Sequence, residues 1–215
     1  MKRFFPNCLM LTMTMALVVA CASPPAGNMP APPPPRSVPV APADDRVFNV
    51  GDIGPAGGRI FFDKGIFSDG WRFLEAAPAS TEVNAPWGAR RQNVAGTGEG
   101  IGTGRRNTDL ILHHLEWIGE TGRAAQIAAA LNFGGFDDWF LPSRDELNLM
   151  FQNRAIIGDL GDRWYWSSSQ SYHPNDAWRQ NFGRSGFNPW AAQSVGEQHR
   201  GDKNDANSVR AIRAF

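Results

Sequence analysis

Apolar and polar positions divide the chain into three stretches of different character. Leu9 to Val19 is apolar apart from Thr12 and Thr14, and is much shorter than the roughly 20 apolar residues that cross a bilayer. Residues 22–45 show no period at all, being dominated by Pro, Ala, Ser and Val with Pro32 to Pro35 consecutive. From Val47 onward the apolar positions recur at spacings that predict short strands and three helices.

The predicted elements of residues 47–215 follow in order. Gly58-Arg-Ile-Phe-Phe-Asp63 and Trp71-Arg-Phe-Leu-Glu75 read as two strands joined at an Asp69-Gly70 hairpin turn. Leu110, Ile111, His114, Leu115 and Ile118 share one face of a helix over residues 108–118, capped by Asn107 or Thr108. A second, alanine-rich helix spans 123–131. A third follows Ser143-Arg-Asp-Glu146, a capping box in which side chain and backbone satisfy each other's amides, with Leu147, Met150 and Phe151 as its buried face. Residues 164–169, 177–182 and 208–215 read as strands. In the last, Arg210 and Arg213 flank the inward positions Val209, Ala211 and Ile212, and the strand is expected to pair centrally, beside residues 58–63. The polar stretches 173–176 and 184–207 read as loops. The fold class predicted is α+β, with short antiparallel strands, two to three helices and long loops.

The first stretch carries a chemistry of its own. Lys2 and Arg3 precede the apolar run, which closes on Val18-Val19-Ala20-Cys21, the order of a secretion signal with a lipobox. Residues 1–20 are therefore expected to be a signal, and Cys21 the residue that becomes lipidated. Ala22 and Ser23 follow without an aspartate, which implies an outer-membrane destination. Residues 21–46 are then a lipidated cysteine and a stalk; at polyproline II spacing its ~24 residues would reach up to roughly 75 Å. Residues 47–215 form one domain. Cys8 leaves with the signal, so the exported domain has neither disulfide nor cysteine nucleophile. Loss of Lys2 and Arg3 leaves a slight acidic excess in a chain otherwise balanced at 21 basic and 21 acidic residues. Nothing in that balance points to nucleic acid.

Several residues invite chemistry and read more simply as structure. The glycines of Gly96-Thr-Gly-Glu-Gly-Ile-Gly-Thr-Gly104 lack the Walker lysine and a βαβ setting, so they read as a tight loop leading into a helix. His113 and His114 point about 100° apart on a helix and do not chelate together. Asp137, Asp138 and Asp145 read as structural acids. No Ser-His-Asp motif, zinc helix or paired-carboxylate signature is present, and an enzyme is not expected.

Six motifs in order carry a family resemblance: Gly57-Gly-Arg-Ile-Phe-Phe-Asp63, Asp69-Gly-Trp-Arg-Phe-Leu-Glu-Ala-Ala-Pro78, Ile101-Gly-Thr-Gly104 with Asn107-Thr108, Asp138-Trp-Phe-Leu-Pro-Ser-Arg-Asp-Glu-Leu-Asn148, Tyr165-Trp-Ser-Ser-Ser169 and Ser208-Val-Arg-Ala-Ile-Arg-Ala-Phe215. Together they resemble the Lcl C-terminal domain family, a domain of unknown function that ends a Legionella collagen-like adhesin and recurs in bacterial surface lipoproteins. The resemblance implies a C-type-lectin-like fold, related to the formylglycine-generating enzymes, and an adhesin-like role on glycans. Formylglycine chemistry needs a cysteine that this domain lacks, and the collagen-like repeats linked to trimerisation are missing.

The expected function is thus a membrane-anchored, non-catalytic binding or adhesin-like module, with acidic or sulfated glycans as the candidate ligand, a structural or assembly lipoprotein docking onto another envelope component as the alternative, and a hydrolase of unrecognised type as the second alternative. Trp178 would stack on a sugar, or lie in the core. Arg179 and Arg184 would pair with sulfate or carboxylate, beside Asn175 and Asp176. Asp202, Asn204 and Asp205 supply the oxygens a calcium ion would use, without a specific calcium-site spacing.

Overall fold

The computed structural model describes residues 29–34, 47–183 and 195–215. The expected signal, Cys21, most of the expected stalk and Arg184 lie outside the described residues. Among those described, no helix is long and apolar enough to cross a membrane.

Among the described residues, two sheets and four α-helices make a mixed α+β fold. Strands β1 (Arg59–Ser68) and β2 (Trp71–Ala76) form the expected hairpin, and Asp69 and Gly70 both have positive φ, 52° and 82°. That pair of angles suits the right-handed strand twist of a two-residue hairpin turn. The last strand, β8 (Ile212–Ala214), completes a three-stranded sheet in the order β1-β2-β8. The second sheet has the order β3-β7-β4-β5-β6 and comprises β3 (Val83–Ala85), β4 (Trp164–Gln170), β5 (Asp176–Asn181), β6 (Gln198–Asp202) and β7 (Asn207–Val209). Helix α1 (Gly104–Ile118) is followed by α2 (Ala124–Ala129), α3 (Arg144–Gln152) and the single turn α4 (Arg154–Ile157).

Four sequence expectations are corrected. Residues 208–215 are not one strand: β7 belongs to the second sheet and β8 to the first, with a step at Arg210 and Ala211. The neighbour of β8 is β2, not β1, through Leu74↔Ala214 and Ala76↔Ile212. The reason is that the other side of β1 is taken by residues 51–53: the amide of Gly51 donates to Ile60 and that of Ile60 to Asp52. Arg210 and Arg213, expected to flank the inward positions, are themselves fully buried. Within the loop expected over 184–207, β6 pairs antiparallel with β5 from Asp176↔Asp202 to Gln180↔Gln198. Its residues, Gln-His-Arg-Gly-Asp, carry no apolar alternation from which a strand could be read.

Both faces of the second sheet are covered. Trp166, Ala177 and Val209 pack with Leu110, Ile111 and Leu115 of α1 and with the alanines of α2. On the other face Tyr165 and Phe182 pack with Leu147 and Met150 of α3, in a core shared with Phe61, Leu74 and Ile212 of the first sheet. Trp87, Trp139 and Trp166 are fully buried, and each indole N–H finds a backbone carbonyl, on Ser167, Phe136 and Ala85 respectively. That pairing satisfies the polar handle of a large apolar ring. Residues 29–34 lie along α1, where Arg106 donates to the Pro33 carbonyl (2.8 Å) and the His113 ring meets that of Pro30 (3.0 Å).

Candidate functional site

Helix α1 starts four residues before the predicted position, at Gly104, because Asn107 has other work. Its side chain accepts from the Gly98 amide and donates to the Gly98 carbonyl, both at 2.7 Å, and reaches Ser168 Oγ. Ser169 Oγ also donates to Gly98, Ser143 Oγ donates to Gly100, and Thr103 Oγ1 donates to Gly100. Ser167, Ser168 and Ser169 of β4 are buried, so the glycine loop of residues 96–104 is bolted to the sheet and to the start of α3. Gly104 is required here: a Cβ would collide with Glu146.

Glu146 is the hidden half of this joint. The expected capping box forms, with the Ser143 hydroxyl accepting from the Glu146 amide and the Glu146 carboxylate accepting from the Ser143 amide at 2.7 Å. The same carboxylate accepts from Gly102 at 2.8 Å, so one side chain holds the glycine loop to α3. It is fully buried, and burial pushes its pKa up to about 7 against the downward pull of those amides.

The loop so fixed presents Glu99, and around it lies the candidate site. Trp178 of β5 is half-buried and donates its indole N–H to Glu99 Oε1 at 2.8 Å. Arg144, the first residue of α3, lays its guanidinium 4.0 Å from the Trp178 ring centroid and pairs with Glu99 at 2.6 Å. Gln198 of β6 locks Arg144 from both sides, accepting from its Nε and donating to its carbonyl. Arg200 stands directly opposite Trp178 across the β5–β6 pairing, hence on the same face of the sheet. Arg200 is exposed, stacks on the ring of the exposed Tyr172 and donates to its hydroxyl. The result is a strip in the order Tyr172, Arg200, Trp178, Arg144: two guanidiniums and two aromatic rings on one face, on partners held by the loop, the sheet and α3.

The residues singled out by sequence divide between the two faces of β5. Trp178 belongs to the strip, on the same face as Asp176. Arg179, as its strand neighbour, points the opposite way, over Trp164 (4.6 Å) and onto Asp205 at 3.0 Å. Asp176 faces His173 at 3.8 Å, and Asn175 uses its backbone to bind His173 and Lys203. Sequence reasoning missed Arg144, Glu99, Arg200 and Tyr172. Arg144 and Glu99 lie in other elements far along the chain, and Arg200 sits in the strand that carries no apolar pattern.

The acidic positions considered for calcium are engaged by cations of the chain itself. Asp202 receives Arg90 Nε at 2.9 Å, and Asp205 receives Arg179. Asn204 contributes its backbone amide to Asp202. Between them Lys203 turns inward and is fully buried. Its ammonium donates to the carbonyl of Gln92 (2.8 Å), to that of Ala89 (3.3 Å) and to Gln170 Oε1 (2.8 Å), 4.6 Å from the Trp87 ring centroid. A lysine thus fills the oxygen cage at this corner, and burial lowers its pKa to about 8. Among the described residues, no group of three or more His, Cys, Asp or Glu side chains is placed to hold a metal ion. Compared with protein-family models and with curated proteins, the chain matches none.

Proposed function

We propose that the protein is a lipid-anchored envelope lipoprotein, held through Cys21 on the outer membrane, whose folded unit is a non-catalytic, adhesin-like module for acidic saccharides. The observation that carries this reading is the Tyr172–Arg200–Trp178–Arg144 strip. Sugar rings offer apolar faces that stack on indole and phenol, and their sulfates or carboxylates accept the paired hydrogen bonds of a guanidinium. Glu99 engages Arg144 and the indole N–H, fixing both in place. Arg200, exposed and pre-stacked on Tyr172, is the arginine presented to a ligand. Membership of the Lcl C-terminal domain family and a C-type-lectin-like fold fit the six motifs. They also fit the meeting of the hairpin and the chain end in one small sheet.

A glycan array tests this. The native chain binds sulfated and carboxylated saccharides over neutral ones, and binding weakens as salt rises. Trp178→Ala and Arg200→Ser each reduce binding about tenfold, the size expected for losing one stacking or charge-assisted contact. Chelation of calcium leaves binding unchanged, because Asp202 and Asp205 are already paired with Arg90 and Arg179. A blank array with a correctly folded chain contradicts the glycan reading and selects docking onto another envelope component.

A further inference from the structure

Strand β1 does not run evenly into its turn. Asp63 faces Phe73 and Ser68 faces Trp71, so Lys64, Gly65, Ile66 and Phe67 stand against the single residue Arg72. The resulting bulge is braced at its base. Arg72 grips Asp63 with two hydrogen bonds of 2.8 Å, and the Asp63 carboxylate also accepts from the Gly65 amide at 2.7 Å. Lys64 Nζ donates to the Ser68 carbonyl at 2.8 Å, lies 3.9 Å from the Trp71 ring centroid and faces Asp69 at 3.7 Å. Each charge at the base is therefore matched by an opposite one. Beyond it project Ile66, 67% exposed, and Phe67, 68% exposed. Two adjacent large apolar side chains on a braced, charge-balanced projection suit an apolar layer rather than an ionic partner.

The course of the chain says which layer. Residues 51–53 pair with the start of β1, with Ile53 bridging Arg59 antiparallel and Gly51 bonded to Ile60, and a turn at residues 49–52 precedes them. Phe48 reaches further, packing on Phe73 and Phe215 at 6.1 and 5.3 Å, and Phe73 lies opposite Asp63 at the foot of the bulge. The chain therefore enters the domain from the end at which Ile66 and Phe67 project. What precedes it is the proline-rich stretch, of which residues 29–34 lie along α1 with Pro33 at Arg106 and Pro30 at His113, and the apolar run that closes on Cys21.

We propose that Ile66 and Phe67 dip into the interfacial layer of the bilayer that holds the anchor, as a second and shallow point of attachment. This rests on the lipid-anchor reading. Acyl chains hold the protein at the membrane. The tip then restricts its rotation and fixes which part of the domain faces outward, at little penalty because the anchor keeps it near the surface.

The test uses the whole chain carrying Phe67→Trp, purified from membranes and reconstituted into phosphatidylcholine vesicles with bromine-labelled acyl chains. Emission from position 67, taken as the difference from the native chain, is expected to fall about twofold or more when the bromines lie just below the headgroups. Vesicle flotation is read in parallel. Floating chain with no quenching at position 67 overturns the tip proposal and leaves the anchor reading standing. Chain that does not float overturns both. Burial of position 67 that grows with protein concentration and is indifferent to bromine shows the tip meeting a second copy, which also overturns it. An Ile66→Ser, Phe67→Ser double variant, whose exposed positions are not needed for the core, floats as before and gains rotational freedom at the surface.

Discussion

Arg213 holds its charge where no solvent reaches. Its guanidinium bonds Asp138 through Nε and Glu75 Oε1 through Nη1 at 3.0 Å, and stacks 3.8 Å from the Phe136 ring centroid. Glu75 is fully buried, with burial raising its pKa against the pull of Arg213. Removing one member of such a set leaves an uncompensated buried charge. Arg213→Ala is therefore expected to lower stability by about 3–5 kcal/mol, seen as a reduced denaturant midpoint with an unchanged slope. Arg213→Lys rescues little, since an ammonium does not span both acids as the planar fork does. An unchanged midpoint would mean that the pairing contributes nothing net. Arg210, its neighbour in the same segment, binds the Ala77 carbonyl and Asp159, tying the step between the two sheets to the loop after α4. Both arginines occupy positions that alternation marks as flanking. Sequence gives the spacing of a strand but not the acids that come to meet it from Glu75 and Asp138, far away along the chain.

At the scale of elements, Glu146 joins α1, α3 and the glycine loop, and its ionisation sets how that joint responds to pH. Its folded-state pKa of about 7 lies above the ordinary value of 4.5. Between those limits the folded state keeps a proton that the unfolded chain has released. Stability is then greatest below about pH 4.5, falls as pH rises through the window and levels off above about 7, a loss on the order of 3 kcal/mol. Glu75, shifted in the same direction, adds to the slope. Asp63 and Asp202 are lowered, mainly by the hydrogen bonds they accept, and act only in more acid solution. Thermal unfolding of Glu146→Gln should show a flatter profile between pH 4.5 and 7; a slope identical to the native chain's would place the ionisation elsewhere. Asn107→Ala removes the clamp on Gly98, and faster amide exchange at Gly98 and Gly102 is expected, with the β4–β5 ladder unchanged. The capping box and the hairpin turn were legible in the sequence because both are local chemistry. The start of α1 was not, because Asn107 is drawn away by Gly98 in the glycine loop and Ser168 in β4.

Across the whole molecule, the polypeptide that links Cys21 to the domain is also in contact with it. Arg106 and His113 are seven residues apart on α1, and their partners Pro33 and Pro30 are three apart. Seven helical residues rise about 10.5 Å and three polyproline residues about 9.3 Å, so the two spacings match. The proline-rich character of residues 22–45 was legible in composition; the seating of Pro30 and Pro33 on α1 was not. The same limit applies to the candidate site. Trp178 stood out as an aromatic in a polar strand, while the loop, helix and second strand that complete the strip are brought together only by the sheet order. Isothermal titration of the native chain with a heparin-derived oligosaccharide, repeated with Arg200→Ser and with Arg179→Ser, measures most directly whether that face is the contact. Binding by the native chain that is weakened by the first substitution and kept by the second, with the fold intact in both, is the predicted result. Equal affinity in all three, or no heat with any of them, would contradict it.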